Sequence, residues 1–230
     1  MNHSSRPHWE MIHTFARARL GILALLLFSF SPLFGQGAEP TFVEFRLKDL
    51  GTILIPVTME LQGGVYKSLS DGFSREQGYD VSGDVIFQQK GLNDLKFKEI
   101  NTYARVMIGT EQGTPGSYEK LTTKLKATPA ELRTLGASLK QELVNSFESM
   151  GMRLLRWDGA SIATVNGRTA LKIAYLRQVE DKPPVYVEVY QFHNYDRSHR
   201  LTISYRERDA GIWKNSLERT KNSFKITNVR

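Results

Sequence analysis

Between Met152 and Tyr205 the chain trades apolar for polar residues at every second position, and turn-forming pairs cut the run into pieces too short for helices. Val185, Val187 and Val189 alternate with Tyr186, Glu188 and Tyr190, and Leu201, Ile203 and Tyr205 fall on one side of a later run. A strand sends successive side chains to opposite faces, so such a chain must build a sheet and cover its apolar side. The pairs Asp158-Gly159 and Asn166-Gly167 favour positive φ and predict tight turns separating Met152–Trp157, Ala160–Val165 and Arg168–Val179. Pro183 and Pro184 end the next connection, and a polar loop over Asn194–Ser198 leads into the last long strand.

The cover comes from helices on either side of this block. Thr128 has the spacing of a capping residue, with Pro129 at the first helical position and Glu131 at the third. Leu132, Leu135, Leu139, Leu143 and Phe147 then form one apolar stripe before Gly151 stops the helix. A shorter helix is expected over Tyr118–Lys126. Asp209 is expected to cap a final helix in which Ile212, Trp213, Leu217 and Phe224 pack on the sheet, with a closing strand at Lys225–Asn228.

Ahead of the long helix, Val43, Phe45 and Leu47 alternate with Glu44, Arg46 and Lys48, followed by Ile53 and Ile55. Period two favours strands over 41–62, although Thr41 and Glu44 also have capping-box spacing and leave a short helix open. A Gly/Ser/Asp-rich loop is expected over 63–84, then strands at Asp84–Gln89 and Thr102–Thr110. Gly109, Gly113 and Gly116 follow without the spacing or the lysine of a phosphate loop, and read as a connector. The expected fold class is α+β, an antiparallel sheet flanked by helices in an α/β/α-like sandwich.

The N-terminus stands apart. Arg17 and Arg19 precede the apolar run Leu20–Phe34, and the small residues Gly35, Gly37 and Ala38 follow it. That layout predicts a signal peptide over 1–37, cleavage at Gly37 or Ala38, and one domain over 38–230 that is periplasmic or secreted. The run is short for a bilayer span, so contact with membrane is expected only through an uncleaved leader. With no cysteine, disulfides, thiolate metal sites and a cysteine nucleophile are all excluded. Formal charge is +7, of which Arg6, Arg17 and Arg19 against Glu10 carry +2, leaving a mildly basic +5 that suits an anionic partner.

Several short patterns carry a family likeness: Gly51-Thr52-Ile53-Leu54-Ile55-Pro56, Tyr103-Ala104-Arg105-Val106, Arg200-Leu201-Thr202-Ile203-Ser204-Tyr205-Arg206, and Asn222-Ser223-Phe224-Lys225-Ile226. Together, in this order, they resemble the PsbP-like family. The resemblance implies a central antiparallel sheet with helices on both sides. Characterised members, a lumenal extrinsic subunit of photosystem II and a Ran-binding nuclear import factor, are binding proteins rather than enzymes. Neither the 63–84 stretch nor the helical region 117–150 matches the family residue by residue, so no site is carried over from it and no photosynthetic role is implied.

Chemistry-bearing residues are sparse. His193, Asp196 and His199 bracket one turn and are the residues a metal site would use, but hairpin tips collect polar side chains for their own sake, and neither a metal nor a cofactor is expected. A serine hydrolase would need one of those histidines as base, and no Gly-x-Ser-x-Gly elbow is present. Glu180 and Asp181 are adjacent in a proline-bounded loop, which leaves Glu188 on its strand as the other carboxylate to consider. Tyr186, Tyr190 and Phe192, with Tyr195 beyond and Arg177, Arg197 and Arg200 flanking, make a candidate recognition surface of which Tyr186, Tyr190, Arg197 and Arg200 are the centre; a covering helix would bury the rings instead. Export argues against nucleic acid as a partner. The expected function is an exported, non-catalytic binding or accessory protein of the cell envelope, acting on a protein or envelope component. The alternative is a secreted or periplasmic hydrolase, which a deep cleft with converging carboxylates or His193 would favour.

Overall fold

Residues 41–64, 66–68, 71–72, 83–94 and 102–230 are described by the computed structural model of the protein. The expected signal peptide, its cleavage point at Gly37 and Ala38, and most of the 63–84 stretch lie outside them. The period-two segments become ten strands: β1 (Phe42–Leu47), β2 (Gly51–Pro56), β3 (Met59–Leu61), β4 (Val85–Gln89), β5 (Ala104–Gln112), β6 (Met152–Val165), β7 (Arg168–Val179), β8 (Val185–His193), β9 (Arg197–Arg206) and β10 (Lys225–Ile226). Two long helices are described beside them, α1 (Pro129–Ser149) and α2 (Ala210–Ser223), and residues 64, 66–68 and 71–72, within the stretch expected to be a loop over 63–84, are helical.

The strands form two antiparallel sheets, a small one ordered β1-β2-β10 and a large one ordered β3-β4-β5-β9-β8-β7-β6. Helices cover both faces of the large sheet, the α+β arrangement expected above. On one face the apolar stripe of α1 (Leu135, Leu139, Leu143, Phe147) packs against Ile173, Tyr175, Val187 and Val189. On the other, Trp213, Leu217 and Phe224 pack with Val106, Tyr190, Phe192, Leu201 and Ile203, and the small sheet adds Leu47, Ile53, Ile55 and Ile226 to the same core. Strand alternation on β8 feeds both cores at once.

Where local sequence and structure agree, the cause is visible. Thr128 accepts a hydrogen bond from the Glu131 amide at 3.2 Å while the Glu131 carboxylate accepts from the Thr128 amide at 2.7 Å, closing a reciprocal capping box. Thr128→Ala removes half of it and is expected to cost about 1 kcal/mol, read as a lower urea midpoint with unchanged slope. Asn166 and Gly167 both take positive φ (45° and 75°), as a two-residue hairpin requires.

Besides the 63–84 loop, three local expectations are corrected. Asp158-Gly159 is not a turn: β6 runs unbroken from Met152 to Val165, and the register slips at Leu154/Arg156 and at Trp157/Gly159, with Gly159 at φ 102°. These are bulges, which use the same glycine conformation without reversing the chain. The segment 118–126 is irregular rather than helical, because its backbone bonds outward: Tyr118 N–H to Tyr195 O, Tyr195 N–H to Glu119 O, and Leu125 N–H to the Thr169 hydroxyl. Asp209 precedes α2 but makes no capping bond; a 3-10 turn over Glu207–Asp209 swings its carboxylate back to accept from the Tyr103 amide at 2.9 Å.

Candidate functional site

The α2 face of the large sheet is not covered evenly. Along its inner side α2 and the residue after it place Trp213, Leu217 and Phe224 in one core with Tyr190 and Phe192, whose ring lies 5.5 Å from that of Phe224. On the side toward Tyr186 and Tyr205 the helix presents Ala210 and the exposed Lys214, too little bulk to fill the space. A cleft of about 360 Å³ remains, lined by Arg156, Tyr186, Glu188, Ile203, Tyr205, Glu207, Ala210, Lys214, Leu217 and Glu218.

The sheet floor of this cleft follows from register. Arg156, Leu176, Tyr186, Tyr205 and Ala104 form one row across five strands, and the first bulge in β6 is what turns Arg156 onto this face. The Tyr186 and Tyr205 rings are 5.6 Å apart, with the Arg156 guanidinium 5.8 Å from the Tyr186 ring. Arg156 is also held by Asp158 at 2.8 Å and Glu207 at 3.0 Å.

Glu188, at the centre, is fully engaged. One carboxylate oxygen accepts from Lys172 Nζ at 2.6 Å and from the Tyr186 hydroxyl at 3.4 Å, the other from the Tyr190 hydroxyl at 2.8 Å. Burial first, and then the Glu188 charge, push the Tyr186 and Tyr190 hydroxyls well above the ordinary phenol range; the same two causes raise Tyr205. All three therefore stay protonated donors at neutral pH. Glu218 pairs with Lys221. Once these pairs are drawn, Lys214 is the one charged lining residue with no pair among the described residues.

The residues singled out from sequence separate. Tyr186 lines the cleft, whereas Tyr190 lies beneath α2 at 1% exposure, as a covering helix dictates. Arg200 is on the opposite face, paired with Asp84 at 3.1 Å, and Arg177 is buried on that face too. Arg197 binds Asp196 at 2.9 Å beside the β8–β9 turn, where Tyr195 stands with Lys120 over its ring. His193, Asp196 and His199 also part company: His193 packs on the Tyr118 ring at 5.4 Å, Asp196 binds Arg197 and Arg230, and His199 is held by Thr110 and Asn194. Among the described residues no group of three His, Cys, Asp or Glu side chains is placed to hold a metal ion. Glu180 is exposed at the β7–β8 turn, 4.0 Å from Lys182. Arg156, Lys172, Tyr205 and Lys214 were not identified from sequence; strand register and the β6 bulge bring Arg156 and Tyr205 to the cleft and Lys172 to Glu188, and α2 brings Lys214.

No protein-family model matches the chain, and no curated protein does. Among solved structures it is similar to cyanobacterial PsbP from Synechocystis sp. PCC 6803, at 14% identity and a TM-score of 0.49 over 85% of this chain and 98% of that one. It is also similar to a protein of unknown function from Pseudomonas aeruginosa described as a putative regulator, at 11% identity and a TM-score of 0.38 over 80% of this chain and 96% of that one. The similarity is one of fold.

Proposed function

We propose that the chain is an exported accessory protein, one domain following a removed leader, that works by binding an acidic group of a protein or envelope partner in the cleft beside α2. The observation that carries this reading is the charge pattern of the cleft. Its carboxylates are neutralised internally, its tyrosines offer ring faces and hydroxyl donors, and Lys214 stands unpaired at the rim beside Ile203 and Leu217. Aromatic and cationic side chains around a desolvated floor are what a partner's anchoring group meets at a productive interface. The basic balance of the residues after the leader acts in the same direction at longer range.

The partner should be recovered from the native envelope by the tagged protein and lost, by roughly tenfold or more, when Lys214→Glu or Tyr186→Ala is introduced. Equal recovery by all three proteins would remove the cleft from the mechanism. A second reading has one observation in its favour, since Glu188, Glu207 and Glu218 all line the same cleft, as a hydrolase would need. The Lys172, Tyr186 and Tyr190 bonds to Glu188 argue against it, because both carboxylate oxygens are already taken by donors of the protein itself. Turnover of glycoside, ester or phosphate substrates that disappears in Glu188→Gln would establish the hydrolase instead.

A further inference from the structure

The face of the large sheet away from α2 changes character along its width. Beneath α1 it is apolar, but on β5, β9 and the end of β7 it turns cationic. Arg206, Val185 and Arg177 stand side by side in one row, and the next row, two residues along each strand, runs Gln88, Arg105, Ser204, Val187 and Tyr175. Three guanidinium groups thus share two adjacent rows of one face, and all are buried, Arg105 at 1% exposure, Arg206 at 4% and Arg177 at 6%.

Their partners do not match their charge. Arg105 donates to the Tyr66 hydroxyl at 3.3 Å and lies 5.7 Å from the Tyr103 ring, leaving its Nε without a partner. Arg177 donates to the Met152 sulfur at 3.2 Å, a weak acceptor. Arg206 leaves Nη1 without a partner. Among the described residues none of the three is ion-paired to a carboxylate; Asp209 acts on Arg206, but its carboxylate also accepts from the Tyr103 amide and pairs with Arg208 at 3.8 Å. Arginine cannot relieve this by losing its proton, and an uncompensated buried charge is strongly destabilising. Since Asp209 is shared with Arg208, the three guanidinium groups stand at least two positive charges in excess.

The geometry points to a bound compact dianion, a phosphate or sulfate group seated among Arg105, Arg177 and Arg206 on the sheet face opposite the α2 cleft. Guanidinium forks match the oxygens of such an ion, and the unpartnered Nε of Arg105 and Nη1 of Arg206 are the donors it would take first. The Tyr66 hydroxyl, which accepts from Arg105, keeps its own proton to donate. The field is already felt at Tyr103, where burial alone would raise the phenol, yet Arg105, Arg177 and Arg206, with a hydrogen bond from Ser204, outweigh it and lower its pKa. The site is independent of the cleft and of the function proposed for it. It accepts a free ion or the terminal phosphate of a larger molecule.

The test is calorimetric titration of the purified protein, dialysed into chloride, with inorganic phosphate, sulfate, glycerol 3-phosphate and acetate at matched ionic strength. Phosphate or sulfate should bind and raise the Tm by about 5 °C near saturation. Binding should weaken about ten- to hundredfold in Arg105→Met, and less in the milder Tyr66→Phe. Glycerol 3-phosphate binding as well as phosphate identifies a terminal phosphate as the natural group, and phosphate alone identifies the free ion. No heat and no Tm shift in the wild-type protein overturns the site whatever the variants do, and acetate binding as tightly as phosphate overturns the dianion.

Discussion

Gly51→Ala is expected to destabilise the protein by on the order of 3 kcal/mol, although it adds a single methyl group to a strand whose backbone angles any residue can adopt. Gly51 begins β2, and its partner across the small sheet is Ile226 of β10. A Cβ at this position would overlap the carbonyl oxygen of Lys225 and press on the Lys225 carbonyl carbon at 2.9 Å, so the obstacle is backbone and cannot rotate away. Either β2 or β10 must move. Moving β10 draws Ile226 and the adjoining Phe224 out of the core they share with Ile53, Phe192 and Leu217, and it breaks the bonds from the Thr227 and Asn228 amides to Leu50 O. The penalty should therefore depend on the C-terminal strand being present. Urea titration of Gly51→Ala in the full chain and in a chain ending at Phe224 makes a double-mutant cycle, in which the alanine costs little in the shortened chain. A loss below about 0.5 kcal/mol in the full chain would show that β10 does not pack against Gly51 as described.

That contact illustrates what sequence could and could not disclose. Strand identity and the two helices were legible because they rest on local signals: period two in β8 and β9, the capping box at Thr128, and Asn166-Gly167 at a hairpin. Strand order was not, because β5 lies beside β9 and β10 beside β2 across most of the chain, and no local pattern encodes such pairings. The bulges in β6 show the limit most directly. Asp158-Gly159 has the composition of a turn, but a turn and a glycine bulge call for the same positive φ, and only the pairing with β7 distinguishes them. The cleft depended on that distinction, since without the bulge Arg156 would face α1 rather than Tyr186. For the Tyr186, Tyr190 and Phe192 face, sequence left two alternatives, a recognition surface or burial by a covering helix; the structure divides them, Tyr190 and Phe192 buried and Tyr186 lining the cleft where α2 presents Ala210 and Lys214. The arginine cluster was hidden for a different reason. Arg105, Arg177 and Arg206 lie on three different strands, and their proximity appears only when the rows are aligned.

Lowering the pH from 7 to 5 is expected to remove a large share of the stability, and two histidines held neutral by burial, His199 and His193, are the cause. The His199 ring is 1% exposed, with Nδ1 2.9 Å from the Thr110 hydroxyl and Nε2 3.1 Å from the Asn194 amide nitrogen. The orientation of Asn194 is fixed from outside, because its amide nitrogen also donates to Asn228 O while its oxygen accepts from the Arg230 amide. Asn194 therefore donates to Nε2, which must be the bare nitrogen, and a proton there would meet an N–H instead of an acceptor. Burial lowers the His199 pKa to about 4, assisted by the charge of Arg197 and opposed by that of Asp196. His193, packed on Tyr118, is lowered to about 4 by burial as well. The sign follows from linkage: between about pH 6.5 and pH 4 the unfolded chain binds protons that the folded chain refuses, so stability is full above pH 6.5 and falls as the pH drops through that window. His199 alone accounts for about 1.4 kcal/mol per pH unit there, or about 3 kcal/mol across it, and His193 acts in the same direction. Urea titrations at intervals between pH 7.5 and pH 5 should show this slope, and His199→Gln, whose amide can still bridge Thr110 and Asn194 without titrating, should flatten it by the share of one histidine. A wild-type stability that stays constant down to pH 5, or a variant with the same slope as the wild type, would mean that the ring takes up its proton freely in the folded chain.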